Sequence, residues 1–246
     1  MFASSYSAFS QTWEVGLTAG AMGYMGDLNQ NNFYKLNHFA AGGVVKRNID
    51  GYWSLKLSFL RGQISADDAL SLNQQEKDRN LNFFTPITEG SLQMEFNFLD
   101  YGFGFDQKRV TPFLSAGISL AGFNPQTIYN GRTYQLKYYN TEGQSSYNTT
   151  TYAIPISTGL KYNFGRYLNI IGEVGFRSTS TDYLDDVSGD YPSISGFSPL
   201  RIALSDRSIS KIGASGSQRG DFRKKDTYLF AGITLTYTFV SQKCAF

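Results

Sequence analysis

The sequence predicts an all-β chain: an eight-stranded antiparallel up-and-down transmembrane β-barrel with short periplasmic turns and long extracellular loops. Three observations carry this. Eight stretches alternate apolar and polar residues with period two, each near the roughly 9 to 11 residues that a tilted membrane strand needs. Short turns and long polar loops fall on opposite ends of those stretches. Aromatic residues reach 16%, with 17 Tyr, 20 Phe and 25 Gly, while charged residues are only 17%, a balance that favours twisted sheet over helix or disorder.

The first stretch runs from Thr12 to Met25, with Trp13, Val15, Leu17, Ala19 and Ala21 on one face and Glu14, Gly16, Thr18 and Gly20 on the other. The second spans Phe39 to Asn48 and the third Tyr52 to Arg61, where Trp53, Leu55, Leu57 and Phe59 oppose Ser54, Lys56 and Ser58. The fourth, Ile87 to Phe98, sets Leu92, Met94, Phe96 and Phe98 against Ser91, Gln93, Glu95 and Asn97. The fifth, Val110 to Phe123, is entered by Pro112, a tolerated site for proline at a strand start. The sixth covers Thr151 to Asn163, the seventh Tyr167 to Thr179 and the eighth Thr227 to Phe239.

Ile49-Asp50-Gly51 and Phe164-Gly165-Arg166 supply short turns, and Leu99 to Arg109 a moderate one. Gly26 to His38, Gly62 to Pro86, Asn124 to Thr150 and Ser180 to Asp226 are long and polar. An even strand number puts both ends of the barrel segment on the short-turn side. The predicted organisation is a signal-peptide remnant or flexible start over 1–11, the barrel over 12–239 and a periplasmic tail over 240–246.

A soluble barrel or a β-sandwich would alternate too. The mixed face decides for a membrane: it carries Gly16, Gly20, Gly117, Gly159, Gly175 and Gly232 and few charges, whereas a solvated face would carry more Lys and Glu. Its charges are Glu14, Lys56, Glu95, Lys161, Glu173 and Arg177, three acids and three bases. Eight strands leave an interior only wide enough for side chains, so these residues are expected to neutralise one another in a plugged lumen.

Several classes of function find no support. The net charge is +2 and the basic residues are scattered apart from Arg223-Lys224-Lys225, which argues against a nucleic-acid partner. No apolar run approaches a membrane-spanning helix. His38 is the sole histidine and is expected to be a polar residue at the rim, with no serine or carboxylate placed beside it by the sequence. The acidic groups at Asp67-Asp68 and at Asp182, Asp185, Asp186 and Asp190 do not match an EF-hand and read as loop structure. The expectation is therefore a protein that is not an enzyme, with no catalytic residue, cofactor or metal.

Pieces spread in order along nearly the whole chain, "TWEVGLTAGAMGYMGDLN", "ISADD", "TPFLSAGISLAGFNP", "YAIPISTGLKYNFG", "IIGEVGFRSTSTDYLDDVS" and "RGDFRKKDTYLFAGITLTYTF" followed by a cysteine, resemble the PorG-like outer-membrane proteins of Bacteroidetes. The resemblance implies a multi-pass outer-membrane barrel, embedded in lipid, that anchors or helps assemble the periplasmic ring of the type IX secretion and gliding machinery. Its partners would be a PorK/GldK-like lipoprotein and a PorN/GldN-like ring protein. Asp50, Gly51, Gly165 and Arg166 would then lie in the turns facing that partner. Cys244, the single cysteine, falls beyond the last strand in an oxidising compartment, as a free thiol or paired with another chain, for which the resemblance offers the ring lipoprotein. The other role open to such a barrel is transport or adhesion through its extracellular loops.

Overall fold

The computed structural model describes residues 12–29, 35–102, 107–165, 167–221 and 223–239. In chain order the strands are β1 (Thr12–Met25), β2 (His38–Asn48), β3 (Trp53–Asp67), β4 (Asn82–Asn97), β5 (Val110–Phe123), β6 (Gln126–Tyr129), β7 (Arg132–Gln135), β8 (Thr150–Phe164), β9 (Leu168–Thr179) and β10 (Thr227–Phe239). Two short helices, α1 (Gln74–Arg79) and α2 (Pro199–Ser205), lie in the loops. All eight predicted strands form; β6 and β7 are additional and belong to a loop.

The barrel is a closed antiparallel ring in the order β1, β2, β3, β4, β5, β8, β9, β10, with β10 returning to β1 in the register Leu17 to Leu235. Closure leaves no exposed sheet edge, which is what lets strands cross lipid. Every neighbour but one in the ring is also the next barrel strand in sequence, and β5 reaches β8 across the loop that holds the β6–β7 hairpin.

Outside, the apolar residues stand in a belt. Leu17, Leu57, Phe59, Ile118, Ile156, Leu160 and Ile233 are all exposed. At the short-turn end the belt finishes in rings that touch one another: Trp53 on Phe96 at 4.8 Å, Phe96 on Phe98 at 5.4 Å, and Tyr237 on Phe239 at 5.0 Å. Amphipathic rings at this level suit a bilayer interface. Tyr152 and Tyr162 bracket the belt on β8, and ten residues at ~3.3 Å each, tilted by about 40°, span about 25 Å, the height of a membrane barrel's apolar band.

The alternation inverts above the belt. On β3 the outward residues Trp53, Leu55, Leu57 and Phe59 give way to exposed Arg61, while inward Leu60 and Ile64 become the apolar ones. The same switch brings Met22 and Tyr24 of β1, Phe83 and Ile87 of β4, Phe123 of β5, and Tyr228 and Phe230 of β10 inside. Lipid surrounds the lower wall and water the upper wall, so the apolar face follows the drier side. That inversion is why β3 and β4 run further than their lower pattern indicates, pairing as far as Asp67 with Asn82.

The long loops fold into a cap over this upper core. Leu184 and Val187 from the β9–β10 loop and Leu28 from the β1–β2 loop complete it. Phe123, Tyr147 and Tyr183 stack in nearly parallel planes, with centroid spacings of 6.5 and 4.5 Å, which joins the β5 wall to two loops. The β6–β7 hairpin turns at Asn130 and Gly131, both at positive φ (49° and 74°) as a two-residue hairpin turn demands. Asn73 caps the start of α1 and Asn80, left-handed at φ 55°, ends it; Ser198 and Pro199 start α2.

Candidate functional site: a bridged lumen and its two mouths

Inward residues of the lower barrel are polar, and their alternation on each strand aims them at the axis. Glu14, Lys56, Glu95, Lys161, Glu173 and Arg177 are all buried there. Lys46 and Glu89 join them, making four acids and four bases among the described residues. Lys46 escapes a sequence pattern because it sits beside Arg47, either of which can take the inward face. Glu89 was in principle visible, since it continues the Ser91, Gln93, Glu95 parity.

Glu95 is the hub. Its Oε1 accepts from Lys46 Nζ at 3.0 Å and from Lys161 Nζ, and Lys161 also donates to Asn97 Oδ1 at 2.5 Å. Lys46 stands 4.0 Å from Glu14, which accepts from Asn48 at 2.7 Å and from Thr236 at 3.0 Å. On the other side Lys56 Nζ donates to Glu173 Oε2 at 2.8 Å, and Glu173 faces Arg177 at 3.6 Å. Arg177 Nε is 3.5 Å from Glu89 without hydrogen-bond geometry, a purely Coulombic contact, while Tyr228 Oη donates to Glu89.

Two of these contacts cross the whole barrel. β3 and β9 stand on opposite sides of the eight-strand ring, as do β4 and β10. Lys56 with Glu173 therefore bridges one diameter, and Tyr228 with Glu89 another. An ion pair on one diameter and a tyrosine-to-carboxylate hydrogen bond on the other, both buried in an interior that eight strands leave only wide enough for side chains, cross-brace the lumen.

At the lower mouth Tyr101, at the start of the β4–β5 turn, is buried and reaches across to β9. Tyr101 donates its hydroxyl to Asn169 Oδ1 at 2.7 Å, and Lys161 Nζ lies 5.7 Å from its ring. Asn169 in turn donates to Thr236 and Thr238 at 3.1 and 3.0 Å.

The turn residues expected to face a partner separate. Asp50 is half-buried and its Oδ1 accepts from the amides of Tyr52 and Trp53 at 2.8 and 2.7 Å, so it serves the turn itself. Gly51 is buried, contrary to its expected outward position: its carbonyl accepts from Tyr101 N at 3.1 Å and Asn97 Nδ2 at 2.9 Å, and a Cβ there would sit 1.8 Å from Asp100 Oδ1. Gly165 is exposed in a left-handed turn at φ 80°. Arg166 and Cys244 lie outside the described residues.

His38 is not isolated. Its Nε2 lies 2.6 Å from Ser65 Oγ, which also accepts from Asn37 Nδ2 at 2.9 Å. The Gln63 amide nitrogen faces Nδ1 at 3.3 Å. With Nδ1 accepting, the ring proton is on Nε2 and is donated to Ser65, so in this arrangement the imidazole does not act as a base toward that hydroxyl.

The acidic stretches build the cap. Asp67 accepts from Ala69 N at 3.0 Å, and Asp68 pairs with Arg79 at 2.7 and 2.8 Å. Asp186 accepts from Thr141 and Tyr147 hydroxyls at 2.6 and 2.5 Å, and burial pushes its carboxyl up to about 6 despite nearby Arg219. Asp182 accepts from Ser188 Oγ at 2.8 Å and is likewise lifted by burial to about 6. Between α1 and residues 212–221 the cap leaves a cleft of about 480 Å³.

A closed ring of eight strands with a lipid-facing apolar belt and a polar, ion-paired interior defines an integral membrane β-barrel of the outer-membrane type. Over residues 1–246 the chain matches, and belongs to, the family described as "Domain of unknown function (DUF6089)". No curated protein matches it. Among solved structures it is similar to Neisserial surface protein A, at 9% identity over 93% of this chain and 97% of that one, with a TM-score of 0.48. It is also similar to the N-terminal β-barrel domain of Pseudomonas aeruginosa OprF, at 12% identity over 94% and 98% of the two chains, with a TM-score of 0.43. Pseudomonas aeruginosa OprG matches at 8% identity over 95% and 98%, with a TM-score of 0.43.

Proposed function

We propose that this chain is a non-conducting bacterial outer-membrane barrel whose work is done at its ends, and that it anchors or helps assemble a periplasmic ring of the type IX secretion and gliding machinery. One observation carries the first half: buried contacts bridge two full diameters of the lumen, so the barrel's own interior is no route for cargo. The second half rests on the resemblance of the ordered sequence pieces to PorG-like proteins. Such a role calls for no catalytic group, cofactor or metal. The partners would be a PorK/GldK-like lipoprotein and a PorN/GldN-like ring protein, meeting the short-turn face around Gly165 and the tail that carries Cys244.

Affinity capture of the tagged barrel from detergent-solubilised native membranes tests this. Recovery of the ring lipoprotein supports the role, and its consistent absence from captured material removes it. Non-reducing gels of membranes carrying Cys244→Ser test the covalent contact: a high-mass band that persists in the variant eliminates a Cys244 disulfide.

The capped external loops favour a second reading, adhesion or uptake through the extracellular face. The cleft between α1 and residues 212–221 is the observation behind it. Ligand binding by the intact barrel that disappears when residues 180–226 are shortened would favour this reading over the ring.

A further inference from the structure

Where the cap meets the wall, one tyrosine joins three loop segments. Tyr24, at the upper end of β1, is buried, and its Oη lies 2.6 Å from Asp185 Oδ2 and 2.7 Å from Asp226 Oδ1 while accepting from the amide of Asp27 at 3.0 Å. Each carboxylate is fixed from its far side as well. Asp185 Oδ1 accepts from Val187 N at 2.9 Å and Asp226 Oδ2 from Leu184 N at 2.9 Å; Asp27 Oδ1 accepts from Asp221 N. The joint thus ties 26–29, 184–187, Asp221 and Asp226 to the barrel wall, beside the apolar core that Leu28, Leu184 and Val187 complete.

The hydrogens do not balance if every acid is ionised. A phenol has one proton to donate, yet two oxygen-to-oxygen contacts of hydrogen-bond length converge on it. The second contact requires a proton carried by one of the two carboxyls and donated to the phenol oxygen, which then donates once and accepts twice. Surrounding charges do not remove the need. Arg79, from α1, gives two of its hydrogen bonds to Asp68 and the others to the main-chain oxygens of Arg219 and Asp27. Asp182 is engaged by Ser188, and Asp221 stands 3.1 Å from Arg223. Below, Glu89 is held by Tyr228 and faces Arg177.

We propose that this joint is a proton-held latch: one proton shared among Tyr24, Asp185 and Asp226 keeps the β9–β10 loop seated on the barrel mouth, and its loss in an alkaline medium frees the loop. The inference concerns the external end and stands apart from any periplasmic partner. Burial raises both Asp185 and Asp226 well above the ordinary carboxylate range, and their mutual repulsion and that of Asp27 add to it; Asp27 itself is pushed up to about 7, burial again leading. The direction follows from linkage. The seated loop binds a proton that the free loop, with ordinary aspartates, has lost above about pH 4, so raising the pH favours release.

Hydrogen exchange at the amides of Leu184 and Val187, on the full chain in phospholipid bilayers, reads the latch. After correction for intrinsic exchange, the opening constant should rise about tenfold per pH unit across the range in which the joint keeps its proton, while mid-barrel amides of β9 and β10 stay protected. In Asp185→Asn an amide hydrogen replaces the shared proton, and the pH dependence should flatten; Asp226→Asn serves if the first variant does not assemble. Protection that ignores pH in the wild-type barrel overturns the proposal, as does an unchanged slope in both variants. The same series with calcium and with EDTA excludes the other way of balancing the charge: alkaline protection restored by calcium, or neutral protection abolished by EDTA, would assign the joint to a cation and overturn the latch.

Discussion

Replacing Glu95 by alanine tests the cross-braced lumen most severely. Glu95 is 1% exposed and accepts from two lysines, Lys46 and Lys161. With the carboxylate gone, the nearest acid to Lys46 is Glu14 at 4.0 Å, and Lys161 retains only the neutral Asn97 oxygen at 2.5 Å among its side-chain hydrogen bonds. Removing one member of a buried ion pair strands its partner's charge and costs about 3 to 5 kcal/mol. Glu95→Gln, which keeps an oxygen to accept from the lysines and removes only the negative charge, should lose less than Glu95→Ala. Ser91→Ala is the uncharged control on the same strand: it removes the 2.6 Å hydroxyl contact with Ser58 and the 2.9 Å bond that Gln93 Nε2 donates, together worth about 2 kcal/mol. The assay is reversible denaturant unfolding in phospholipid vesicles, followed by the fluorescence of Trp13 and Trp53, which leave the lipid interface on unfolding. A Glu95→Ala barrel no less stable than Ser91→Ala would refute the view that paired charges hold the lumen together.

Two further outcomes follow from other layers of the structure. Leu57 lies mid-belt, paired with Leu92 and 55% exposed to lipid, so Leu57→Arg should destabilise by about 2 to 4 kcal/mol in the same unfolding assay, whereas Leu72→Arg, on the cap and 90% exposed to water, should be near neutral. Asp186, lifted by burial to about 6, holds a proton in the folded cap that it loses more readily when unfolded; its contribution is complete below about pH 4 and disappears as the pH rises through 6. Proteolytic susceptibility of the cap should therefore increase over that window, and Asp186→Asn should flatten the increase.

The barrel was legible because one physical rule governs each strand from end to end. β1, β5 and β10 have their predicted bounds, since turns or loops punctuate an unbroken alternation. The upper parts of β3 and β4 were not legible from the same rule, because the rule reverses where water replaces lipid outside the wall. Ile64 and Phe83 point inward there for the same reason that Leu57 points outward lower down. The β6–β7 hairpin had a local signal in Asn130-Gly131 flanked by β-favouring residues, although it lies within a stretch otherwise read as loop. At the site, inward parity on single strands pointed to six of the eight lumen charges. Which acid meets which base depends on strands that face each other across the ring, and no local pattern encodes that distance. The Tyr24 joint was hidden for a related reason: its three aspartates are about 40 to 200 positions apart and converge only once the cap is folded.

Planar-bilayer recording of the purified wild-type barrel tests the central claim most directly. A lumen bridged across two diameters by Lys56 with Glu173 and by Tyr228 with Glu89 predicts incorporation without steady conductance steps above leak. Reproducible ohmic steps from the wild-type chain would contradict it.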